Sequence, residues 1–191
     1  AIFSVVNAVL LKALPYHNSH RFVIVSGADG SAGPGTISPV EAQEFAAQLT
    51  TLEDFAAMQT QSVNLTGGEQ PERVRGAYVT ANFFEVFKLA PTAGRTFARG
   101  EDQPGAERVV VVNEGFWRRR LNSDPELAGR KVILNGEPYS VVGVMPPGFQ
   151  FGRELGPAAE IWTTLAFTPQ QLSTDNYTNE YLVVLGRLKP D

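Results

Sequence analysis

The stretch KVILNGEPYSVVGV, residues 131–144, carries the strongest local fold signal in the sequence. Two runs rich in β-branched residues flank Asn135-Gly136, a pair that accepts the positive φ angles of a tight two-residue turn. The stretch therefore predicts a β-hairpin. Pro146 and Pro147 follow directly, and because proline cannot donate to a strand ladder we expect the second strand to end there.

Apolar runs elsewhere predict further strands. Short runs bounded by turn residues are typical of buried strands, and residues 108–112 are apolar enough to be covered on both faces. The other predicted strands are residues 21–26, two strands within 61–78, residues 161–165 and residues 181–188. Leu52, Phe55 and Met58 fit either a further helical turn or the beginning of a strand.

Helix starts are predicted at three places. Ser38 and Glu41 form a capping box around Pro39, which suits the first helical position, and this helix is expected to run to about Leu49. Thr80 is the predicted cap of a helix over residues 81–87, whose phenylalanines at three- and four-residue spacing form an apolar stripe typical of a core.

The third helix is predicted to begin after Asn113. Its inward residues are Phe116, Trp117 and Leu121. Arginines occupy positions 118–120 at its end, where cations complement the carbonyl pole of a helix.

The amino terminus, residues 1–11, is nearly uncharged and is followed by Lys12 and Pro15-Tyr16. A helix needs about 20 apolar residues to span a bilayer, so this segment alone is too short. It also lacks the basic start and cleavage site of a signal peptide. Two interpretations remain: a buried amphipathic helix, or the last turns of a transmembrane helix with Tyr16 at the interface.

Composition excludes some functions. The formal net charge is −4 and the pI is about 5.3, so the chain has no basic field for a nucleic acid. It has no cysteine, which excludes disulfides, thiol catalysis and thiolate metal sites.

The residues also offer no recognisable active site. The two histidines, His17 and His20, are spaced more closely than the helical pairs that build zinc sites. Glu101, Asp102 and Glu114 are acids without a nucleophile or base at a recognisable spacing, and solvated carboxylates are the simpler interpretation. We therefore expect no catalytic residue, no cofactor and no metal.

A glycine-rich loop follows the first predicted strand. Its glycines at 27, 30, 33 and 35 match neither the dinucleotide fingerprint nor the P-loop, which needs a Lys-Ser/Thr pair after its last glycine. A surface loop is the better interpretation.

A series of motifs along the whole chain resembles one known family. In order, they are Ala8-Val9-Leu10-Leu11-Lys12, Leu14-Pro15-Tyr16, Leu65-Thr66-Gly67, Pro71-Glu72-Arg73-Val74, Asn82-Phe83-Phe84, Gly94-Arg95-Thr96-Phe97, Glu101-Asp102, Trp117-Arg118-Arg119, Gly129-Arg130, Leu134-Asn135-Gly136, Tyr139, residues 142–149 and Gly186-Arg187-Leu188-Lys189-Pro190. Together they closely resemble the MacB-like periplasmic core domain of the FtsX/MacB superfamily, in the form found in acidobacterial duplicated orphan permeases.

The resemblance implies an α+β fold placed between the first two transmembrane helices of a permease. Residues 1–13 become the end of the first transmembrane helix. Residues 14–75 and 157–191 become a discontinuous βαβ lobe similar to the porter modules of multidrug pumps, and residues 76–156 an inserted strand-rich (Sabre-like) lobe. Independently of the resemblance, the apolar start and the residues Lys189-Pro190-Asp191, which can open a helix, make both ends look like excisions, so at least a helix of this fold is expected to be missing.

The resemblance also implies a non-catalytic function. The chain would be the extracytoplasmic domain of an ABC transporter permease in the bacterial inner membrane, transmitting conformational change for export or release of a substrate. Its partners would be the membrane, a cytoplasmic ATPase subunit and a second permease copy, and no nucleic acid. The alternative is a periplasmic sensor or binding module for peptide, lipid or lipoprotein, which would need an enclosed apolar cavity between the lobes.

Overall fold

The computed structural model describes residues 19–25, 35–48, 50–68, 70–149 and 158–190. The predicted transmembrane segment 1–13, His17 and most of the glycine-rich loop lie outside these ranges. The strands are β1 (Phe22–Val25), β2 (Leu52–Thr66), β3 (Glu72–Val79), β4 (Ala93–Gly94), β5 (Val109–Asn113), β6 (Lys131–Leu134), β7 (Glu137–Met145), β8 (Ile161–Thr164) and β9 (Val183–Leu188). The α-helices are α1 (Pro39–Gln48), α2 (Phe83–Phe87) and α3 (Glu114–Leu121), so the predicted α+β class is confirmed.

One end of the sheet is a βαβ unit. Strand β9 pairs antiparallel with β1 on one side and with β2 on the other. Strands β1 and β2 are therefore parallel to each other, and α1 connects them, with β9 inserted between. The amino-terminal and carboxy-terminal strands of the described chain thus lie side by side.

The other end of the sheet closes into a barrel. Strand β2 pairs with β3, β3 with β8, β8 with β5, β5 with β7, β7 with β6, and β6 pairs back to β2 at Leu65 and Thr66. The 15-residue β2 belongs to both parts, because its first half pairs with β9 and its second half lies in the barrel. Strand β3 crosses the predicted lobe boundary at 75/76, and the lobe boundaries stay a prediction.

Alternate residues of β5 enter two different cores. Val110 and Val112 belong to the barrel interior, which all six barrel strands line and which Phe116 of α3 joins. Val109 and Val111 point the other way, into an aromatic core built around α2. All four valines are at most 1% exposed, which confirms a strand covered on both faces.

The aromatic core joins the two parts of the fold. Phe83, Phe84 and Phe87 of α2 lie against Trp162 of β8 and Phe149, with ring centroids 5.2–6.3 Å apart. The Phe87 ring also stacks on Phe22 of β1 at 5.2 Å. The predicted apolar stripe is thus a core that contacts both the βαβ unit and the barrel wall. A third core lies between α1 and the opposite face of β9.

Most local predictions are confirmed. The predicted hairpin is β6 and β7, with φ of 51° at Asn135 and 85° at Gly136. The Ser38 amide donates to Glu41 Oε2 (2.9 Å), and the Glu41 amide donates to Ser38 Oγ (3.2 Å), which completes the capping box. The amide of Phe116 donates to Asn113 Oδ1 at 2.7 Å, as expected for the cap of α3.

The predicted cap of α2 is wrong. The hydroxyl of Thr80 accepts from the Ala57 amide at 3.1 Å and so ties the end of β3 to β2. The helix begins later, at Phe83, after Asn82, whose side chain donates to the Phe55 carbonyl instead of capping. The sequence left open whether Leu52, Phe55 and Met58 belong to a helical turn or to a strand. They lie in strand β2.

Candidate functional site

The acidic residues considered from the sequence serve local structure. Glu101 accepts two hydrogen bonds from Arg95 (2.6 and 2.9 Å) and one from the Ala98 amide (2.7 Å). Partial burial raises the pKa of Glu101, but these hydrogen bonds outweigh it and the pKa lies below its ordinary value. A general acid would need the opposite shift.

The remaining candidates lie apart from one another. Asp102 accepts from the Ala81 amide at 2.9 Å, and Glu114 forms an ion pair with Arg118 one turn along α3. His20 is exposed. Within the described ranges, no group of three or more histidines and carboxylates is placed to hold a metal ion.

The arginines of α3 bind neighbouring strands as well as their own helix. Arg119 pairs with Glu160 at 2.8 Å, and both Arg119 and Arg120 contact Glu72 of β3. All three α3 arginines are substantially exposed, so these pairs contribute little to stability individually.

A different cluster lies where β1 begins and β9 ends. Arg21 Nε donates to the carbonyl of Leu188 at 2.8 Å, and the same side chain forms an ion pair with Glu53 of β2. Lys88, which follows α2, binds the other oxygen of that carboxylate. Buried Arg187 of β9 lies with its Nε 3.8 Å from Glu53. We refer to Arg21, Glu53, Lys88 and Arg187 as the junction cluster.

Glu53 is the shared acceptor of the junction cluster. Hydrogen bonds from Lys88 and then Arg21 hold its pKa below the ordinary value, because they favour the charged carboxylate more strongly than partial desolvation disfavours it. The side chain is 30% exposed, so solvent screens part of this attraction.

Arg187 connects the cluster to the aromatic core. Its side chain is 1% exposed, its Nη1 donates to the carbonyl of Val86 in α2 at 3.1 Å, and its guanidinium carbon lies 5.0 Å from the Phe22 ring centroid. A buried guanidinium requires such partners, because an uncompensated charge in the interior is very costly. The sequence signal for this residue is a cation inside the otherwise apolar strand 181–188, and sequence reasoning gave it no role beyond membership of a motif.

The end of α2 is fixed by the same residues. Lys88 adopts a left-handed conformation (φ 53°), and its amide donates to the Glu85 carbonyl at 2.9 Å, which ends the helix. Its side chain then reaches Glu53. The cluster thus joins β1, β2, β9 and α2 at one point.

A groove of about 490 Å³ lies between α1 and the loop containing Asp102. Its walls include Ala42 and Ala46 of α1, Phe55 of β2, and Phe167. The groove is open at the surface, unlike the enclosed cavity expected for a dedicated binding module.

Comparison with known families identifies the chain. A family model described as the MacB-like periplasmic core domain matches residues 1–191. The chain belongs to this family. The resemblance seen in the sequence motifs is therefore confirmed over the whole chain.

Solved structures with the same fold support this assignment. The periplasmic region of MacB from Actinobacillus actinomycetemcomitans is 14% identical, with a TM-score of 0.61 over 89% of this chain and 74% of that one. The extracellular domain of the noncanonic ABC-type transporter YknZ from Gram-positive bacteria is 18% identical, with a TM-score of 0.59 over 86% and 81%. No curated protein sequence matches the chain.

Every helix in the described part of this MacB-like periplasmic core domain is too short or too polar to cross a bilayer. The predicted transmembrane segment, residues 1–13, is not among the described residues.

Proposed function

We propose that this MacB-like domain is the extracytoplasmic part of a bacterial ABC transporter permease of the inner membrane. In this proposal it catalyses no reaction and transmits conformational change between the membrane helices and a substrate or partner. ATP is hydrolysed by a separate cytoplasmic subunit, and the permease works as a dimer.

The observation that carries this proposal is the pairing of β1 with β9. Phe22 faces Arg187 in the register, and Arg21 is bonded to the Leu188 carbonyl. Strand β1 is the first described strand after the predicted transmembrane segment, residues 1–13, so a movement of that segment acts on β1 first. Because β9 is paired along β1, this movement is passed directly to β9.

The junction cluster and α2 provide a stiff path away from these strands. Arg187 and Lys88 hold the end of α2, and the phenylalanines of α2 pack on Trp162 of the barrel wall. Packed aromatic cores resist deformation. A displacement of β1 and β9 therefore moves the barrel by nearly the same distance.

The test is a distance measurement in the full-length permease reconstituted with its ATPase. The chain has no cysteine, so a spin label at Glu126→Cys near the barrel can report the distance to the same label in the second copy of the permease dimer. We expect the distance distribution to change between the nucleotide-free and ATP-bound states. The change should shrink in Phe84→Ala, which loosens the aromatic core, and remain in Arg99→Gln. An unchanged distribution in the wild type would contradict transmission.

The groove beside α1 favours a second candidate function, binding of a ligand. Its volume lies within the range of roughly 300–1,000 Å³ typical of ligand sites, and its otherwise apolar walls carry the polar side chains of Gln43, Thr80, Asp102 and Gln103. Ala46→Trp would fill the groove at an exposed position of α1. The control is Ala47→Trp, at the neighbouring exposed position. The binding function is supported if the substrate's affinity for the permease falls in Ala46→Trp and stays unchanged in Ala47→Trp.

A further inference from the structure

The charges of the βαβ part are segregated along the chain. Residues 22–72 contain no lysine or arginine, and neither do residues 154–186, although both stretches contain several carboxylates. Three cations border these stretches in the sequence, next to β1 and β9. They are Arg21, Arg187 and Lys189. All three belong to the end of the sheet where β1 begins and β9 finishes.

A cavity of about 680 Å³ opens at this same end. It is lined by His20 and Arg21, by Thr50 and Thr51 ahead of β2, and by residues 188–190. Thr50 and Thr51 are exposed, and the Thr51 carbonyl accepts the Lys189 amide at 3.0 Å, which fixes the chain beyond β9 against this wall. The lining therefore offers cationic groups and hydroxyls side by side, the donors that suit a phosphate oxygen.

Lys189 is the most available of these cations. Arg21 is engaged by Glu53 and by the Leu188 carbonyl, and Arg187 is buried. Lys189 is exposed, and within the described ranges no carboxylate forms an ion pair with it. Its ammonium group is thus free to meet an anion entering the cavity.

The cavity lies near the predicted membrane connection. Residue 13 ends the predicted transmembrane segment, and the chain from there to Arg21 can extend at most about 3.5 Å per residue, or roughly 30 Å in total. That reach is no more than the thickness of a hydrocarbon core, roughly 30 Å. The end of the predicted transmembrane segment therefore lies at most roughly 30 Å from Arg21, which lines the cavity.

We propose that this cavity binds the phosphate headgroup of an anionic phospholipid, with Lys189 as the principal cation and Thr50 and Thr51 as further donors. The inference rests on the proposed function to the extent that the domain is anchored in a membrane. Headgroup binding would hold the β1–β9 end against the bilayer, because each lysine near an anionic surface attracts it appreciably.

The test is lysine acetylation footprinting of the full-length permease in nanodiscs. Discs of phosphatidylcholine are compared with discs that also contain phosphatidylglycerol. We expect acetylation of Lys189 to slow roughly fivefold in the anionic discs, the factor that corresponds to one lysine at an anionic surface. Exposed Lys131, on the barrel strand β6, is the control within the same molecule and should react equally in both.

Further arms separate the alternatives. Thr50→Ala combined with Thr51→Ala should reduce the protection of Lys189 without affecting Lys131. Equal rates at Lys189 in both disc types overturn the inference, as does equal protection of Lys131. A third result would also overturn the inference: inorganic phosphate protects Lys189 from acetylation in detergent, while anionic discs do not protect it. That result would indicate a site for a free anion. None of these measurements requires ATP, so a permease that shows no ATP-driven distance change can still show headgroup binding.

Discussion

Nη1 of Arg187 in β9 donates a hydrogen bond to the carbonyl of Val86 in α2, at 3.1 Å. This bond joins the last strand of the described chain to the helix at the centre of the aromatic core. A helix carbonyl near the carboxy terminus has no partner within its own helix, so the arginine satisfies a group that would otherwise be buried without one.

Removal of the Arg187 side chain is expected to destabilise the domain. Arg187→Met keeps much of the apolar volume but leaves the Val86 carbonyl unsatisfied, which costs about 1–3 kcal/mol. Urea denaturation should show this loss, and Arg118→Met in α3 should cost less than about 1 kcal/mol, because that ion pair is exposed. Equal losses in the two variants would contradict the role of burial.

The Glu53 carboxylate is expected to make stability depend on pH. Its pKa is lowered in the folded state, so between the folded and unfolded values the unfolded chain binds more protons. This contribution is complete above the ordinary carboxyl range of about 4.3 and is lost as pH falls through the lower folded value.

Denaturation curves for Glu53→Gln and wild type should therefore differ at neutral pH and converge in acid. Glu126→Gln, an exposed carboxylate, is the control and should follow the wild type at every pH. A constant difference between Glu53→Gln and wild type down to the lowest pH would exclude the linkage.

Gly143 of β7 is expected to tolerate no side chain. A Cβ at this position would lie 2.0 Å from the Arg95 carbonyl oxygen, so the backbone would have to move, at a cost of about 1–3 kcal/mol or more. Gly143→Ala should lower the melting temperature by several degrees. Gly148→Ala is the matched control, since nothing lies within 4 Å of its added Cβ.

Asn135 is expected to stabilise the hairpin in two separable ways. It holds a φ of 51°, and its Oδ1 accepts the Asn64 amide at 2.9 Å, which ties the turn to β2. Asn135→Gly removes the side-chain hydrogen bonds to Asn64 and Tyr78, each worth about 1 kcal/mol, and tolerates the positive φ without strain. Asn135→Ala also introduces strain at positive φ, so its free energy of unfolding should be lower still. A glycine variant less stable than the alanine variant would show that backbone strain at this turn contributes little to stability.

The sequence alone determined the local elements of this protein. The hairpin at Asn135-Gly136, the capping box at Ser38 and the cap at Asn113 were all predictable, because turn and cap chemistry acts over only a few residues. The prediction for Thr80 is wrong because its hydroxyl is taken by the amide of Ala57, a partner on another strand. A local pattern contains no information about such a competitor.

Only the tertiary structure decided how these elements pair. The return of β6 to β2 at Leu65 and Thr66 closes the barrel, and the pairing of Phe22 with Arg187 joins strands from opposite ends of the described chain. Apolar strands have similar faces and edges, so their partners are chosen by packing of the whole core rather than by any one segment. The junction cluster depends on that choice, because Arg21, Glu53, Lys88 and Arg187 meet only after the distant strands have paired.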